Sequence, residues 1–381
     1  MKKINLGEIG NVLMCKRILK EQTSENGEIP FFKISTFGEK ADSFISRELF
    51  ENYKNKFSYP KKGDVLISAA GTIGKTVIFN GEEAYFQDSN IVWLDNDESI
   101  ISNTFLYYFY QTKPWIKTNG SIISRLYNSD IKAIKINYPS KETQQKIAQV
   151  LSTLDRKIAL NQQINAELEK MAKTLYDYWF VQFDFPDENG NPYKSSGGKM
   201  VYHPELKREV PKGWENCTLE KFLTIKNGKD HQHLAEGKFP VFGSGGIMRY
   251  SDDFLYSGQS ILIPRKGTLN NIIYVDEKFW TVDTMFYSIM KLPNVAKYVY
   301  FSIKDIDFMK LNTGTGVPSM TSSILYKLKM VMPDESLLDK FEEFLSPLFK
   351  TIHQNKNQNA QLTQLRDFLL PLLMNGQVEV V

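Results

Sequence analysis

Two cysteines in 381 residues, Cys15 and Cys217, cannot build a disulfide framework or a cysteine metal site, which points to a reducing compartment. Four histidines, of which only His231 and His233 lie close together, make no metal set. Basic residues exceed acidic ones by only three, so no global positive field exists, and any polyanion must be met by basic groups placed locally or supplied by other subunits. No apolar run approaches membrane-spanning length, and the N-terminal MKKINLGEIG is too polar for a secretion signal, so a cytoplasmic protein without a membrane partner is expected. Glycine and proline are absent from Lys141 to Val181, which leaves room for one helix of about 60 Å at ~1.5 Å per residue.

What the chain does have, it has twice. Leu66-Ile67 and Gly71-Thr72-Ile73 return as Leu262-Ile263 and Gly267-Thr268-Leu269, and Asp88 before Ile91–Leu94 returns as Asp283 before Met285–Met290. The stretch from Ile147 to Leu175 returns as Phe341 to Leu369. So long a period excludes a solenoid and indicates two copies of a domain-plus-helix unit, hence an internal pseudo-twofold. Each helical copy carries apolar residues at alternating steps of four and three, which is coiled-coil spacing. The first seam runs Ile147, Leu151, Leu154, Ile158, Asn161, Asn165, Leu168, Ala172, Leu175, Trp179; the second runs Phe341, Leu345, Leu348, Ile352, Asn355, Asn359, Leu362, Arg366, Leu369, Leu373. Antiparallel packing would set Asn161 near Asn359 and Asn165 near Asn355, a polar layer that fixes register; the other reading turns these amides to solvent.

The expected fold is α+β. Two strand-rich mixed domains, residues 1–139 and 215–333, are separated by two long helices, 140–182 and 334–376, with a connector at 183–214. DVLIS, KTVIF and NIVWL read as short strands between turn signals, a short helix is expected near Asn103–Thr112, and Ser140 is placed to cap the first long helix. The connector, rich in Pro, Gly and Lys, reads as ordered but irregular.

Catalytic signals dissolve on inspection. AAGTIGKT (Ala69–Thr76) satisfies a loosened phosphate-loop pattern, but a real one must open a helix, whereas Val77-Ile78-Phe79-Asn80-Gly81 is a β-branched run into a turn. An NTPase reading would require nucleotide binding that Lys75→Ala abolishes. Asn191-Pro192-Tyr193 matches part of an adenine-methyltransferase motif without its second proline or a cofactor loop. No catalytic residue is assigned. What remains is recognition chemistry: a fixed glycine stands beside changed neighbours, Ala69-Ala70-Gly71 against Arg265-Lys266-Gly267, followed by Lys75 and by Asn270-Asn271. Arg, Lys and Asn are the types that pair with base edges and phosphates. Ser124-Arg125, Thr315 and Ser319 within Gly314–Ser319, and Lys226, Lys229 and Arg249 complete the candidate DNA-binding set, although surface drift between duplicated domains would leave the same pattern.

The order of parts resembles the specificity subunits of type I restriction–modification systems, over essentially the whole chain. The likeness is strongest in KETQQKIAQVLSTLDRKIALNQQINAELEKMAKTLYDYWF with the connector FDFPDENGNPYKSSGGKMVYHPELKREVPKGW, and in GDVLISAAGTIGK, FPVFGSGG and ILIPRKGT. The resemblance implies two target recognition domains, each reading one half of a bipartite double-stranded DNA site, held apart and inverted by an antiparallel coiled coil. It implies docking of two methyltransferase subunits, which carry S-adenosylmethionine and the adenine chemistry, and of restriction/translocase subunits; this chain would hold no cofactor. Because the two domains differ in their loops, two unlike half-sites are expected. The alternative from another class is a coiled-coil scaffold that binds only proteins.

Overall fold

The computed structural model describes residues 1–115 and 125–380. The chain divides into two compact units, Met1–Asn161 with Lys356–Val381, and Gln162–Asn355. Ser124, one of the candidate readers, lies outside the described residues.

The first unit runs β1 (Lys2–Asn5), α1 (Leu6–Ile9), β2 (Gly10–Met14), β3 (Ile29–Phe32), β4 (Phe44–Ile45), α2 (Arg47–Lys56), β5 (Val65–Ser68), β6 (Thr76–Ile78), β7 (Tyr85–Phe86), β8 (Ile91–Asn96), α3 (Asn103–Gln111), α4 (Asn128–Ala133), β9 (Lys135–Tyr138) and then α5 (Lys141–Tyr176). Strands β2-β8-β5-β6 form an antiparallel sheet, β4-β3-β7 a smaller one, and β1 pairs with β9. DVLIS and NIVWL are continuous apolar runs because their sheet is covered on both faces. Val65, Ile67, Val92 and Leu94 enter one core, with Phe105 of α3; Leu66, Ile91 and Trp93 enter another, with Phe50 of α2.

The connector is less irregular than its composition suggests, since β10 (Met200–His203) and β11 (Arg208–Pro211) pair as a hairpin. Its aromatic residues organise it: Phe185 stacks on Tyr193 and on Trp214, with ring centroids 4.7 and 5.2 Å apart. The second unit continues with β12 (Glu215–Thr218), α6 (Leu219–Phe222), β13 (Leu223–Asn227), β14 (Glu236–Gly243), β15 (Gly246–Ser251), β16 (Tyr256–Pro264), β17 (Ile273–Thr281), β18 (Met285–Met290), α7 (Ala296–Lys304), α8 (Ser322–Tyr326), β19 (Lys329–Met332) and α9 (Glu335–Met374). Here the sheet has six strands in the order β13-β18-β16-β17-β14-β15.

The repeat is a repeat of structure, hydrogen bond by hydrogen bond. The order β2-β8-β5-β6 corresponds to β13-β18-β16-β17. Leu6 N donates to Ile134 O as Leu219 N does to Leu328 O, Ala69 N to Asn90 O as Arg265 N to Thr284 O, and Leu126 N to Ala69 O as Met320 N to Arg265 O. The copies part between the first two strands of this shared sheet in chain order, after β2 in one and after β13 in the other. The first unit places β3, β4 and α2 there; the second places the β14–β15 hairpin, which joins the sheet through the parallel pairing of β14 with β17.

Both long helices are continuous, and the unit boundary falls inside each. Ser140 Oγ accepts Thr143 N at 3.3 Å, capping α5. Within the first unit, Asn161 Nδ2 donates to Asn359 Oδ1 (2.8 Å) and Gln358 Oε1 (2.7 Å), and Arg366 reaches Asp155 (2.9 Å). Within the second, Asn355 Nδ2 donates to Asn165 Oδ1 (2.9 Å), and Trp179 packs on Phe341. In each unit, contacts that advance along α5 retreat along α9, so the helices pack antiparallel.

Both thiols are withdrawn from chemistry. Burial pushes Cys15 up to about 12 and half-buried Cys217 up to about 11. The thiolate is the nucleophile, and a raised pKa makes it scarce at pH 8. A maleimide or iodoacetamide probe at that pH is expected to leave the folded chain unlabelled and to mark both cysteines after denaturation. Rapid labelling of either one in the folded protein would contradict this placement.

Candidate nucleic-acid interface

In the second unit the candidate residues fall on loops that the main chain ties into one surface. Gly228 N donates to Met285 O and Lys229 N to Thr281 O, which seats the segment carrying Lys226 and Lys229 beside the turn before β18. Arg265 and Lys266 both donate their amides to Thr284 O in that turn. Lys266 then bridges to Ser319, and Gly267 N donates to Pro318 O at 2.9 Å. Asn312 holds the second loop by accepting Gly314 N and Ser319 N through one carbonyl oxygen, each at 2.8 Å. The tip of the β14–β15 hairpin joins through Asn271 Nδ2, which donates to Ser244 O at 2.9 Å. Gly267 has φ +88°, a left-handed turn that favours glycine, and a Cβ there would lie 2.8 Å from Ser244 Oγ, so the hairpin tip approaches it closely.

The candidates divide by what their side chains already do. Lys226, Lys229, Lys266 and Thr315 are exposed, and Arg265 is half-exposed with a single long bond, 3.5 Å, to Asp283 O. These groups can meet phosphates and base edges. Asn270 is engaged with Phe308 N and Asp307, and Asn271 with Ser244, so both shape the loop. Arg249 donates to His231 O (2.8 Å) and Leu234 O (2.7 Å), which folds the 231–234 segment over β15. One feature had no signal in composition or spacing: exposed Ile247, Met248 and Tyr250 along β15, next to the hairpin tip. Only the pairing of β15 at the sheet edge reveals them.

The first unit places the same backbone under different side chains. Ala70 bridges to Arg125, whose Nη2 donates to Ser89 O at 2.9 Å. Ser89, Arg125, Tyr127, Asn128 and Ser129 line a shallow concavity beside this bridge. Ser89 is held at φ +52° and Tyr127 is largely exposed. Lys75 stands at the loop's far side, paired with Glu39 at 2.8 Å, and its ammonium holds the Glu39 carboxyl below its ordinary range. From Thr76 the chain runs into β6, paired with β5, so the GKT sequence opens a strand where a phosphate loop would open a helix. Gly74 is needed for another reason: at φ +83° a Cβ would stand 2.0 Å from the Trp115 ring.

Residues 1–170 and 211–364 match the family described as the type I restriction modification DNA specificity domain. A putative type I restriction enzyme specificity subunit of Haemophilus influenzae, S.HindORF215P, is 56% identical over 154 residues, 40% of this chain and 40% of that protein. The MjaIX specificity subunit of Methanocaldococcus jannaschii is 28% identical over 421 aligned positions, 100% of this chain and 93% of that one. The crystal structure of a type I restriction–modification S subunit from M. genitalium aligns over 98% of this chain and 96% of its own, with TM-score 0.62 and 19% identity, and so shares the fold.

Proposed function

The chain belongs to the type I restriction modification DNA specificity family, and from that premise we propose that its two units each read one half of a bipartite, asymmetric DNA site. One observation carries this reading: a backbone frame with corresponding main-chain hydrogen bonds presents Arg265 and Lys266 in one unit and Ala69 and Ala70 in the other, beside unlike insertions. Two readers on one frame that differ in their reading groups and insertions fit two different half-sites. Phosphate contacts position such a reader and base-edge contacts give it sequence. The family reads DNA and leaves the chemistry to partners; here an adenine methyltransferase carrying S-adenosylmethionine would supply it, and a translocase–nuclease would add cleavage.

Exposed apolar side chains on the long helices support docking of two methyltransferase subunits. In the first unit these are Leu160, Leu365 and Phe368, the last 65% exposed; in the second they are Ile164, Met171 and Phe344. Among the described residues no helix is long and apolar enough to cross a membrane, and we place the complex in the cytoplasm, where its DNA is. The reading is tested by titrating the chain, assembled with its methyltransferase, against duplex DNA at increasing salt. Affinity is expected to fall steeply, with a log–log slope of roughly −0.9 per phosphate contacted. A protein-only scaffold would bind no DNA at any salt, and that result would end the proposal.

A further inference from the structure

Each globular part is fastened to the long helices by a polar joint, and the two joints sit at non-equivalent places in the repeat. In the first unit Tyr108 of α3 donates to Asp155 of α5 at 2.8 Å, and Asp155 also accepts Arg366 of α9 at 2.9 Å. In the second unit Lys297 of α7, only 2% exposed, donates to Glu342 of α9. Glu342 Oε1 also accepts Gln259 of β16 (3.1 Å) and Ser346 (2.9 Å). Lys297 Nζ reaches Ser346 Oγ at 3.3 Å and lies 5.5 Å from the ring centroids of both Tyr274 of β17 and Phe349 of α9. The ion pair thus binds α7, two sheet strands and α9 together. At the repeat-equivalent positions, Lys297 and Glu342 become Thr104 and Ala148, while Tyr108, Asp155 and Arg366 become Phe301, Phe349 and Ala172.

Stability does not explain the Lys297 joint. Burying an ion pair costs desolvation that apolar residues of equal volume avoid. Glu342 Oε2 is buried and makes no hydrogen bond among the described residues, so the pair is not even fully satisfied. What a hydrogen-bonded pair between two aromatic faces supplies, and plain apolar packing does not, is direction. A sheet resting on a helix through apolar contacts alone can slide or turn by small amounts. A bipartite reader cannot tolerate that, because one added base pair shifts a half-site by about 3.4 Å and turns it by roughly 35° around the DNA axis.

We propose that Lys297 and Glu342 are positioning residues that fix the seat of the second recognition sheet on α9, and thereby the number of base pairs accepted between the half-sites. The proposal rests on the bipartite DNA reading above. It is tested with the chain assembled with its methyltransferase on a duplex library in which the parental half-sites are kept and the spacer length varies. The parent is expected to methylate one spacer length. Lys297→Met with Glu342→Leu removes both charges together, and this variant is expected to melt no lower than the parent yet to methylate neighbouring spacer lengths too. Ser346→Ala with Gln259→Leu leaves the ion pair but strips its outer hydrogen bonds, and gives a weaker broadening should the first variant fail to fold. Phe279→Leu, a packing change in a separate small core, lowers the melting temperature without altering the spacer. A folded joint variant confined to the parental spacer overturns the proposal, as does one that loses methylation at every spacer. A parent with no bipartite motif refutes the DNA reading itself, and the inference falls with it.

Discussion

Changing Arg265 and Lys266 together to alanine is expected to cut methylation at the cognate site by about 10²- to 10⁴-fold, at one or two orders of magnitude per lost contact. The fold should survive, because the loop is held by its main chain. Arg265 N to Thr284 O, Gly267 N to Pro318 O and Met320 N to Arg265 O do not depend on either side chain. The melting temperature should therefore move by only a few degrees, as surface changes do. Measuring binding against salt separates two modes of action. A phosphate contact removed lowers the slope by about one unit, whereas a base contact removed relaxes sequence choice in that half-site and leaves the slope alone. Methylation at the parental rate would mean that the second unit reads DNA elsewhere, with the exposed strand β15 the next place to test.

Replacing Asn161, Asn165, Asn355 and Asn359 by leucine is expected to raise the melting temperature by on the order of 5–10 °C. Asn161 is fully buried, its Oδ1 has no partner among the described residues, and its amide spends both bonds on Gln358 and Asn359. An unsatisfied buried acceptor costs about 1–3 kcal/mol, and leucine adds apolar burial in its place. The gain in stability should come with a loss of register, since leucine accepts a neighbouring heptad that an amide pair refuses. Spin labels at exposed positions 156 and 364, both in the first unit, would report a slip of one heptad as a change of about 10 Å. A melting temperature that stays level or falls would show that the amides are not a cost accepted for register.

The parts of this structure set by periodicity were legible in the sequence. Steps of four and three along Ile147–Trp179 and Phe341–Leu373 define the two long helices, and opposed asparagines suggest their antiparallel sense. Runs such as Val65-Leu66-Ile67 identify strands covered on both faces, and short spacing to Pro114 bounds α3. Arg366 could have been read further: an arginine on a seam demands a carboxylate across from it, and antiparallel register points to Asp155. Other features depend on which segments the fold brings together. The β14–β15 hairpin attaches through a parallel pairing with β17, which no local pattern announces. The Lys297 joint draws on four elements between Gln259 and Phe349, and a lysine in the first turn of a helix reads as surface until α9 covers it. The same holds within the candidate interface. Arg249, Asn270 and Asn271 have the right chemistry to read DNA, yet their side chains are already engaged in shaping the loops.

Single-molecule sequencing of adenine methylation, in cells carrying this chain with its methyltransferase and in cells lacking only this chain, tests the central claim most directly. One bipartite motif with two unlike halves is predicted, methylated in the presence of the chain and lost without it. A perfect palindrome would contradict the two-reader account, and a methylation pattern unchanged by deletion would contradict a DNA-reading role in that methyltransferase.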